Sequence, residues 1–251
     1  LKEAQINIDN LPNCSEINPA DAATRYTGDL NRFARYVGYT LNQESFKFLM
    51  DPMLNVGVEK VSAMGYGNAI NALSDHEGGI AKYFSQRFAQ VTNPPLDSLR
   101  EADGMTLRMA LGEKPHHGFT GSRQIVVNSP VLLMTDILKI KAQTETPWAK
   151  FDILYSPDFK DTSLNEKLIV KAIDKIANDV VKFSKVAGGI AILSDRHLSK
   201  KLAPIPMTLV ISAINQRLIE EGVRFKVSMV VESGQIYSSH HIACALGFGA
   251  S

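Results

Sequence analysis

Three ionisable side chains follow two apolar segments that have the length and composition of buried β-strands. Asp195 and Arg196 follow Ile190–Leu193 after a single intervening residue, Ser194. Glu232 comes directly after Lys226–Val231. Parallel α/β folds bind ligands at the carboxyl ends of their strands, so this trio could bind phosphate or transfer protons. The competing interpretation, which we favour, is that they cap and pair across strand–helix loops.

Other sequence motifs carry weaker signals for chemistry. Gly65–Ile70 begins like a dinucleotide-binding fingerprint, but Ile70 stands where the third glycine belongs and no clear strand precedes it. His116-His117 and His240-His241 are adjacent pairs, and neighbouring side chains on a helix or strand point in different directions. We therefore expect neither a nucleotide site nor a metal site from these residues.

The chain has two cysteines, Cys14 and Cys244, which are far apart in sequence. Two thiolates cannot ligate an iron–sulfur cluster alone, so we expect this chain to bind no cluster, flavin or metal. Cys14 has no obvious partner base, and Cys244 lies between two alanines on a predicted core face. Unpaired cysteines fit a reducing compartment, which predicts the cytoplasm, with a bacterial source favoured.

The amino-acid composition limits the kinds of partner that the chain can attract. The 251 residues include 27 basic and 26 acidic side chains, a formal net charge of +1. Such a balance gives no long-range attraction for nucleic acid or anionic lipid. No apolar run approaches the roughly 18 residues needed to span a membrane. We expect neither nucleic acid nor a membrane as a partner.

The second half of the chain alternates strand and helix patterns. A capping-box pattern at Ser163–Glu166 opens a long helix that ends at Gly188, and Pro206 opens another that ends at Gly222. Predicted strands precede and follow these helices, at Phe151–Tyr155, Ile190–Leu193 and Lys226–Val231, before a last helix at 239–246. This spacing predicts an α/β fold with parallel strand–helix units, either a reduced (β/α) barrel-like or half-barrel domain or an open sheet.

The first half reads differently. Residues 1–30 predict a linker or irregular arm, residues 31–128 a mostly helical part, and residues 129–251 the strand–helix part. In the middle part we predict helices at Thr40–Met50, at Ile80–Phe88 and from Ser98 to Gly112. Asn93-Pro94-Pro95 separates the last two, since two prolines remove two backbone donors.

One stretch resembles a known family. Phe88–Asp97, continued by Leu99–Glu101, is similar to a motif of the central domain of glutamate synthase. Further segments agree in order and spacing, so that the likeness runs from about Asn31 to Ser251. These segments are Arg35–Thr40, Pro52-Met53, Met64-Gly65, Leu73–Asp75, Met105–Arg108, Leu111-Gly112, Asn128–Leu132, Ile192–Arg196, Ala203–Pro206, Lys226–Gly234 and His240-His241.

The resemblance implies a part of a larger oxidoreductase of glutamate biosynthesis and nitrogen assimilation. In that family a glutaminase domain frees ammonia from glutamine. The ammonia passes through an internal tunnel to a barrel that carries FMN and a 3Fe-4S cluster, where 2-oxoglutarate becomes glutamate. The central domain joins these two domains and forms part of the tunnel wall. The isolated chain is then expected to be inactive, with those two domains of the same polypeptide as its partners.

By position in the shared motifs, the resemblance implies Met64, Gly65, Thr92 and Asn93 as tunnel or interface residues. Near the first pair, Tyr66–Ala69 departs from the family pattern. The alternative is a stand-alone, barrel-like enzyme that binds a flavin or phosphate ligand at Asp195, Arg196 and Glu232. A plain docking module is the third interpretation. A domain that packs on neighbours should expose apolar side chains. The resemblance leaves NADPH, NADH and ferredoxin open as the electron donor.

Overall fold

The computed structural model of the chain describes residues 4–11, 28–60, 79–85, 87, 91–115 and 123–251. These residues form short helices in the first half and long strand–helix units in the second. The strands are β1 (Gln5–Asn7), β2 (Met109–Leu111), β3 (Gln124–Val127), β4 (Trp148–Asp152), β5 (Leu154–Tyr155), β6 (Gly189–Ser194), β7 (Ala203–Pro204) and β8 (Val227–Glu232). The α-helices are α1 (Arg32–Gly38), α2 (Asp51–Val56), α3 (Ser98–Gly104), α4 (Met134–Ala142), α5 (Asn165–Val186), α6 (Met207–Glu220) and α7 (Ser239–Gly247).

A parallel sheet with the order β4-β6-β8 organises the second half. Helix α5 leads into β6, and helix α6 leads from β6 towards β8. Both helices pack on the same face of the sheet. Strands added in chain order with their helices on one side are wound as in a barrel rather than as in a doubly wound sheet. The predicted α/β class with parallel strand–helix units is confirmed.

Strand β6 is buried on both faces. Ala191 and Leu193 pack with α5 and α6, whereas Ile190 and Ile192 belong to a second core on the other side. All four side chains have no exposed surface. This is why the strand reads as a continuous apolar run and not as an alternating one.

The second core is closed by a smaller sheet with the order β1-β3-β2. β1 runs parallel to β3, and β2 runs antiparallel to it. The two sheets are also joined by hydrogen bonds. The Ser228 hydroxyl on β8 donates to the carbonyl of Gly112 (3.0 Å) and accepts from its N–H (3.1 Å). The structure thus places strands within both 1–30 and 31–128, while the domain boundaries themselves stay a prediction.

Several predicted helix boundaries in the first half are wrong. Asp97, not Ser98, caps α3 by accepting from the N–H of Arg100, and the helix ends at Gly104 rather than Gly112. The helix begins one residue earlier than predicted because a carboxylate is an equally good cap. It ends earlier because the residues of β2, which lie within the predicted helix, pair with β3 instead.

The other two helix predictions also change. Asn42 rather than Thr40 caps the second helix, by accepting from Ser45, and the helix continues through a π-helical turn into α2 up to Val56. Of the predicted helix at Ile80–Phe88, the structure shows only a 3-10 turn at Ile80–Tyr83, and Phe88 lies outside the described residues.

In the second half, the start of the long helix also differs from the predicted capping box at Ser163–Glu166. Asp161 caps a 3-10 turn, and α5 begins just after that turn, at Asn165.

Gly189 allows β6 to approach the start of β4. It has a φ of 105°, and a Cβ there would overlap the carbonyl oxygen of Pro147. That oxygen accepts the N–H of Ile190 at 2.9 Å, so it cannot move away without loss of a sheet hydrogen bond.

We predict that Gly189→Ala lowers the free energy of unfolding by about 3–5 kcal/mol, because it adds overlap with the backbone to an unfavourable φ. The matched control is Gly222→Ala, which has a φ of 66° and no neighbouring atom within 4 Å. It should cost only about 1–2 kcal/mol. Urea denaturation of both variants measures the difference, and equal losses would contradict the proposed contact.

Candidate functional site

The carboxyl ends of β6 and β8 bring the three predicted strand-end residues together. Ser194 is paired with Glu232 in the sheet, and the N–H of Asp195 donates to the Glu232 carbonyl at 3.2 Å. Arg196 follows at once and reaches back to the Glu232 side chain. The convergence expected from the sequence is therefore present.

Glu232 is held by two donors. Arg196 Nη1 lies 2.9 Å from Glu232 Oε1, and Ser194 Oγ donates to Oε2 at 2.8 Å. Burial of Glu232 by itself raises its pKa. The hydrogen bonds from Ser194 and Arg196 and the nearby charge of Lys141 outweigh burial and hold the pKa of this carboxyl below its ordinary value. Glu232 is thus an anion at neutral pH.

Asp195 is almost completely buried, with 1% of its surface exposed. Its Oδ2 accepts from Ser233 Oγ at 2.5 Å and from Gln235 Nε2 at 3.2 Å, and its Oδ1 accepts from the N–H of Gly234 at 3.1 Å. Burial raises the pKa of Asp195, and the negative charge of Glu232 adds to that rise. The three hydrogen bonds oppose the rise without cancelling it.

Gln235 and Tyr39 were missed at the level of sequence. The Gln235 amide donates to Asp195 and to the Ile205 carbonyl (3.0 Å), and it accepts from the N–H of Met207 (3.1 Å). It thereby ties the loop after β8 to the start of α6. The Tyr39 hydroxyl donates to the Asp195 carbonyl at 3.2 Å from 156 residues away. No local pattern could have predicted either contact.

A cavity of about 380 Å³ opens beside this network. Asp195, Arg196 and Glu232 all line it, and most of its remaining wall is apolar. The apolar wall comes from both sheets, from the start of α4 and from α7, and includes Leu111, Val127, Ile137, Val230, Ile242 and Ala245. We call this space the strand-end cavity. Its volume lies within the roughly 300–1,000 Å³ of small-molecule sites.

The two predicted tunnel residues that the structure describes lie outside this cavity. Thr92 and Asn93 are exposed in a bend before α3 and are not among the residues that line the strand-end cavity. Met64 and Gly65 lie outside the described residues. The structure therefore does not place Thr92 and Asn93 at the strand-end cavity.

The histidines and the cysteine of α7 are engaged in contacts within the fold, including one from His240 Nε2 to the Ala81 carbonyl at 2.6 Å. His241 Nδ1 lies 2.5 Å from Ser238 Oγ, and burial, with the neighbouring His240 charge, lowers the pKa of His241 to about 4. Cys244 is buried as predicted, and burial raises the pKa of its thiol. Within the described part of the chain, no group of three or more His, Cys, Asp or Glu side chains could hold a metal ion. Among the same residues, the structure contains no helix with the length and apolar character of a membrane span.

These features define an α/β domain whose strand-end polar groups are tied into one network beside an apolar cavity. A sequence model described as "Glutamate synthase central domain" matches residues 34–251. The chain belongs to the glutamate synthase central domain family.

The relatives are large glutamate synthases. The chain is 35% identical over 225 residues to the ferredoxin-dependent glutamate synthase of Cyanidium caldarium, covering 87% of this chain and 14% of that protein. It is 32% identical over 238 residues to the glutamate synthase [NADPH] large chain of Bacillus subtilis (strain 168), covering 93% of this chain and 15% of that protein. The chloroplastic ferredoxin-dependent glutamate synthase of Spinacia oleracea is 30% identical to the chain over 251 residues, covering 97% of this chain and 15% of that protein. The chain thus spans about one seventh of the length of these relatives.

We predict that Glu232→Gln lowers the free energy of unfolding by about 1–3 kcal/mol at pH 7, because it removes the charge that pairs with Arg196. The pKa of Glu232 is lower in the folded chain than in the unfolded one. Its stabilising effect is therefore complete above the unfolded pKa, about 4.3, and is lost as pH falls through the folded pKa.

Urea denaturation of both proteins between pH 7 and about pH 3.5 tests this expectation, because the gap between them should narrow only below about pH 4.3. Glu220→Gln is the matched control on α6, where the side chain is 57% exposed, and it should change little. A gap that stays constant down to the acid limit would contradict the assignment.

Proposed function

We propose that this chain is the connecting domain of a glutamate synthase, placed between a glutaminase domain and an FMN domain of the same polypeptide. The observation that carries the proposal is the family match over residues 34–251. The matched relatives are some seven times longer, which leaves room in them for both further domains. The whole enzyme would use FMN and a 3Fe-4S cluster held outside this chain, and the isolated chain would be inactive.

Exposed apolar side chains support contact with neighbouring domains. Five large ones lie between residues 91 and 107, and two of them, Leu99 and Leu107, are 82% and 65% exposed. The others are Val91, Leu96 and Met105. Exposed apolar side chains this close together in sequence favour a role as an interface, since exposed apolar patches mark interaction sites.

The same segment holds the two described tunnel candidates. Thr92 and Asn93 are exposed immediately before Pro94 and Pro95, whose rings fix the backbone there. We propose that this rigid bend forms part of a wall that keeps ammonia away from bulk water. Ammonia that reached water would be protonated and would lose its nucleophilicity. We propose that the whole enzyme works in the cytoplasm of a bacterium; among the relatives, the Bacillus subtilis protein fits this source, whereas the Spinacia oleracea enzyme is chloroplastic.

We predict that Thr92→Trp in the complete natural polypeptide leaves glutaminase activity unchanged but reduces glutamine-dependent glutamate formation several-fold, with ammonia released into solution. The bulky ring would obstruct a passage without disturbing the core, because Thr92 is exposed. Paired assays of glutamine hydrolysis, glutamate formation and free ammonia measure this coupling.

Two variants control for trivial effects. Thr92→Val keeps the side-chain volume and should keep the coupling. Lys182→Trp places the same bulk on α5, where the side chain is 76% exposed and far from the bend in sequence, and it should also be silent. Normal coupling in Thr92→Trp would rule out the tunnel role of this bend.

A further inference from the structure

The parallel sheet has an open edge at β8, and the chain has begun to pair with that edge. β8 comes last in the order β4-β6-β8, so one of its sides has no neighbouring strand among the described residues. On that side the N–H of Ser251 donates to the Met229 carbonyl at 2.9 Å. The N–H of Met229 donates to the Ser251 hydroxyl at 3.2 Å. At Ser251 the chain therefore lies within hydrogen-bonding distance of β8.

The turn after α7 directs the chain to this edge. Gly249 has a φ of 119°, and the N–H of Ala250 donates to the Ala245 carbonyl at 2.9 Å. Helix α6 ends in the same way, at Gly222 with a φ of 66°, before the chain enters β8. Such glycine turns end a helix and reverse the chain. Like α5 and α6, α7 packs on one face of the sheet, so a strand after it would continue the same series.

The guanidinium of Arg224 holds this turn against β8. Its Nη1 donates to the Val227 carbonyl at 2.7 Å, and its Nη2 donates to the Gly249 carbonyl at 2.8 Å. The first residue of β8 and the turn after α7 are thus linked by one side chain, which fixes where the chain meets the edge.

The next pairing position along the edge is Val231. In a parallel strand, alternate residues direct their N–H and C=O groups to opposite sides. Glu232 faces β6, because its carbonyl accepts from Asp195, whereas Met229 faces the open edge. Val231 must then face the open edge as well. None of the described contacts gives a partner to its N–H or its C=O, although the residue is half-buried. Unpaired backbone groups at a sheet edge favour the addition of a strand.

The side chains agree with the same pairing. The bond from Ser251 to the Met229 carbonyl aligns Ala250 with Met229 and Ser251 with Val230. Ala250 does pack with Met229 in the core of α5 and α6. Ser251 and Val230 both line the strand-end cavity. Two residues further along, the same alignment reaches Glu232.

We propose that the residues directly after Ser251 in the complete polypeptide form a fourth parallel strand along β8 and complete one wall of the strand-end cavity. The Val231 N–H would donate to the Ser251 carbonyl, and the Val231 carbonyl would accept from the second residue after Ser251. The side chain of that second residue would stand beside Glu232, on the side of the cavity. The proposal rests on the proposed function, because it needs a chain longer than this one, as the relatives have.

Hydrogen exchange of the complete natural polypeptide, read at single residues, tests the pairing. We expect the Val231 amide to exchange at least about 100-fold more slowly than an unprotected amide. The Val230 amide, which faces β6, is the internal reference for a paired position. A Val231 amide that exchanges freely in a full-length chain would overturn this proposal and leave the connecting function standing.

Two substitutions at one residue test whether the ladder causes the protection. Ser251→Pro removes the N–H that donates to the Met229 carbonyl, whereas Ser251→Ala removes only the hydroxyl. We expect Ser251→Pro to raise the exchange rate of the Val231 amide at least about tenfold, and Ser251→Ala to change it less than about threefold. Equal rates in the two folded variants would contradict the pairing. The wild-type measurement decides alone where Ser251→Pro does not fold.

The same measurement identifies the source of the strand. Protection by a segment of the same polypeptide is independent of protein concentration. Protection that is lost on dilution would show that a second copy covers the edge, and it would overturn the proposal. The intact mass is measured first: a native chain of about 27.6 kDa would overturn the connecting function and this proposal together. The two failures are therefore distinguishable.

Discussion

Burial of β6 on both faces is the constraint on which the rest of the structure depends. Its isoleucines face one core and its alanine and leucine face the other, so a shift of one residue would exchange the two sets. The register on β4 and β8 fixes that choice, from Gly189 opposite Val227 to Ser194 opposite Glu232. Helices α5 and α6 on one side and the small sheet on the other can pack only while the register holds.

The same register decides where the polar groups lie. Because Ser194 ends β6 opposite Glu232, the next two residues emerge beside the end of β8. Asp195 then turns into the loop after β8 and is covered by it, while Arg196 returns to Glu232. A nearly buried carboxylate is tolerated there because three donors meet it. The network thus has a structural role first, as favoured from the sequence, and the strand-end cavity lies beside it.

The sequence predicted long, repetitive patterns well and short ones poorly. Helix α5, with its stripe of Ile173, Ile176 and Val180, and the continuous apolar run of β6 depend on contacts that recur along the element. The ends of α3 and of the helix before α2 depend on single capping side chains, and several neighbouring residues were equally plausible caps. Strand β1 could not be foreseen, because three residues carry little pattern and its partner β3 lies 119 residues away.

The candidate site also contains some contacts that the sequence could predict and others that it could not. The convergence of Asp195, Arg196 and Glu232 follows from the rule for parallel strands and needed no coordinates. The contacts of Tyr39 and Gln235 with Asp195 could be found only in the structure. A Cβ at Gly234 would overlap the Tyr39 ring, so the position of Tyr39 depends on a close approach between segments that are distant in sequence. The placement of Thr92 and Asn93 came from the family resemblance alone, and the structure adds that both are exposed.

The central claim is that this chain works as one domain of a much longer glutamate synthase. An immunoblot of native cells with an antibody raised against the chain tests it most directly. We expect a single band far heavier than 27.6 kDa, the mass of the 251 residues. A band near 27.6 kDa would contradict the claim. It would show that the domain exists alone and make its strand-end cavity the first place to look for a function.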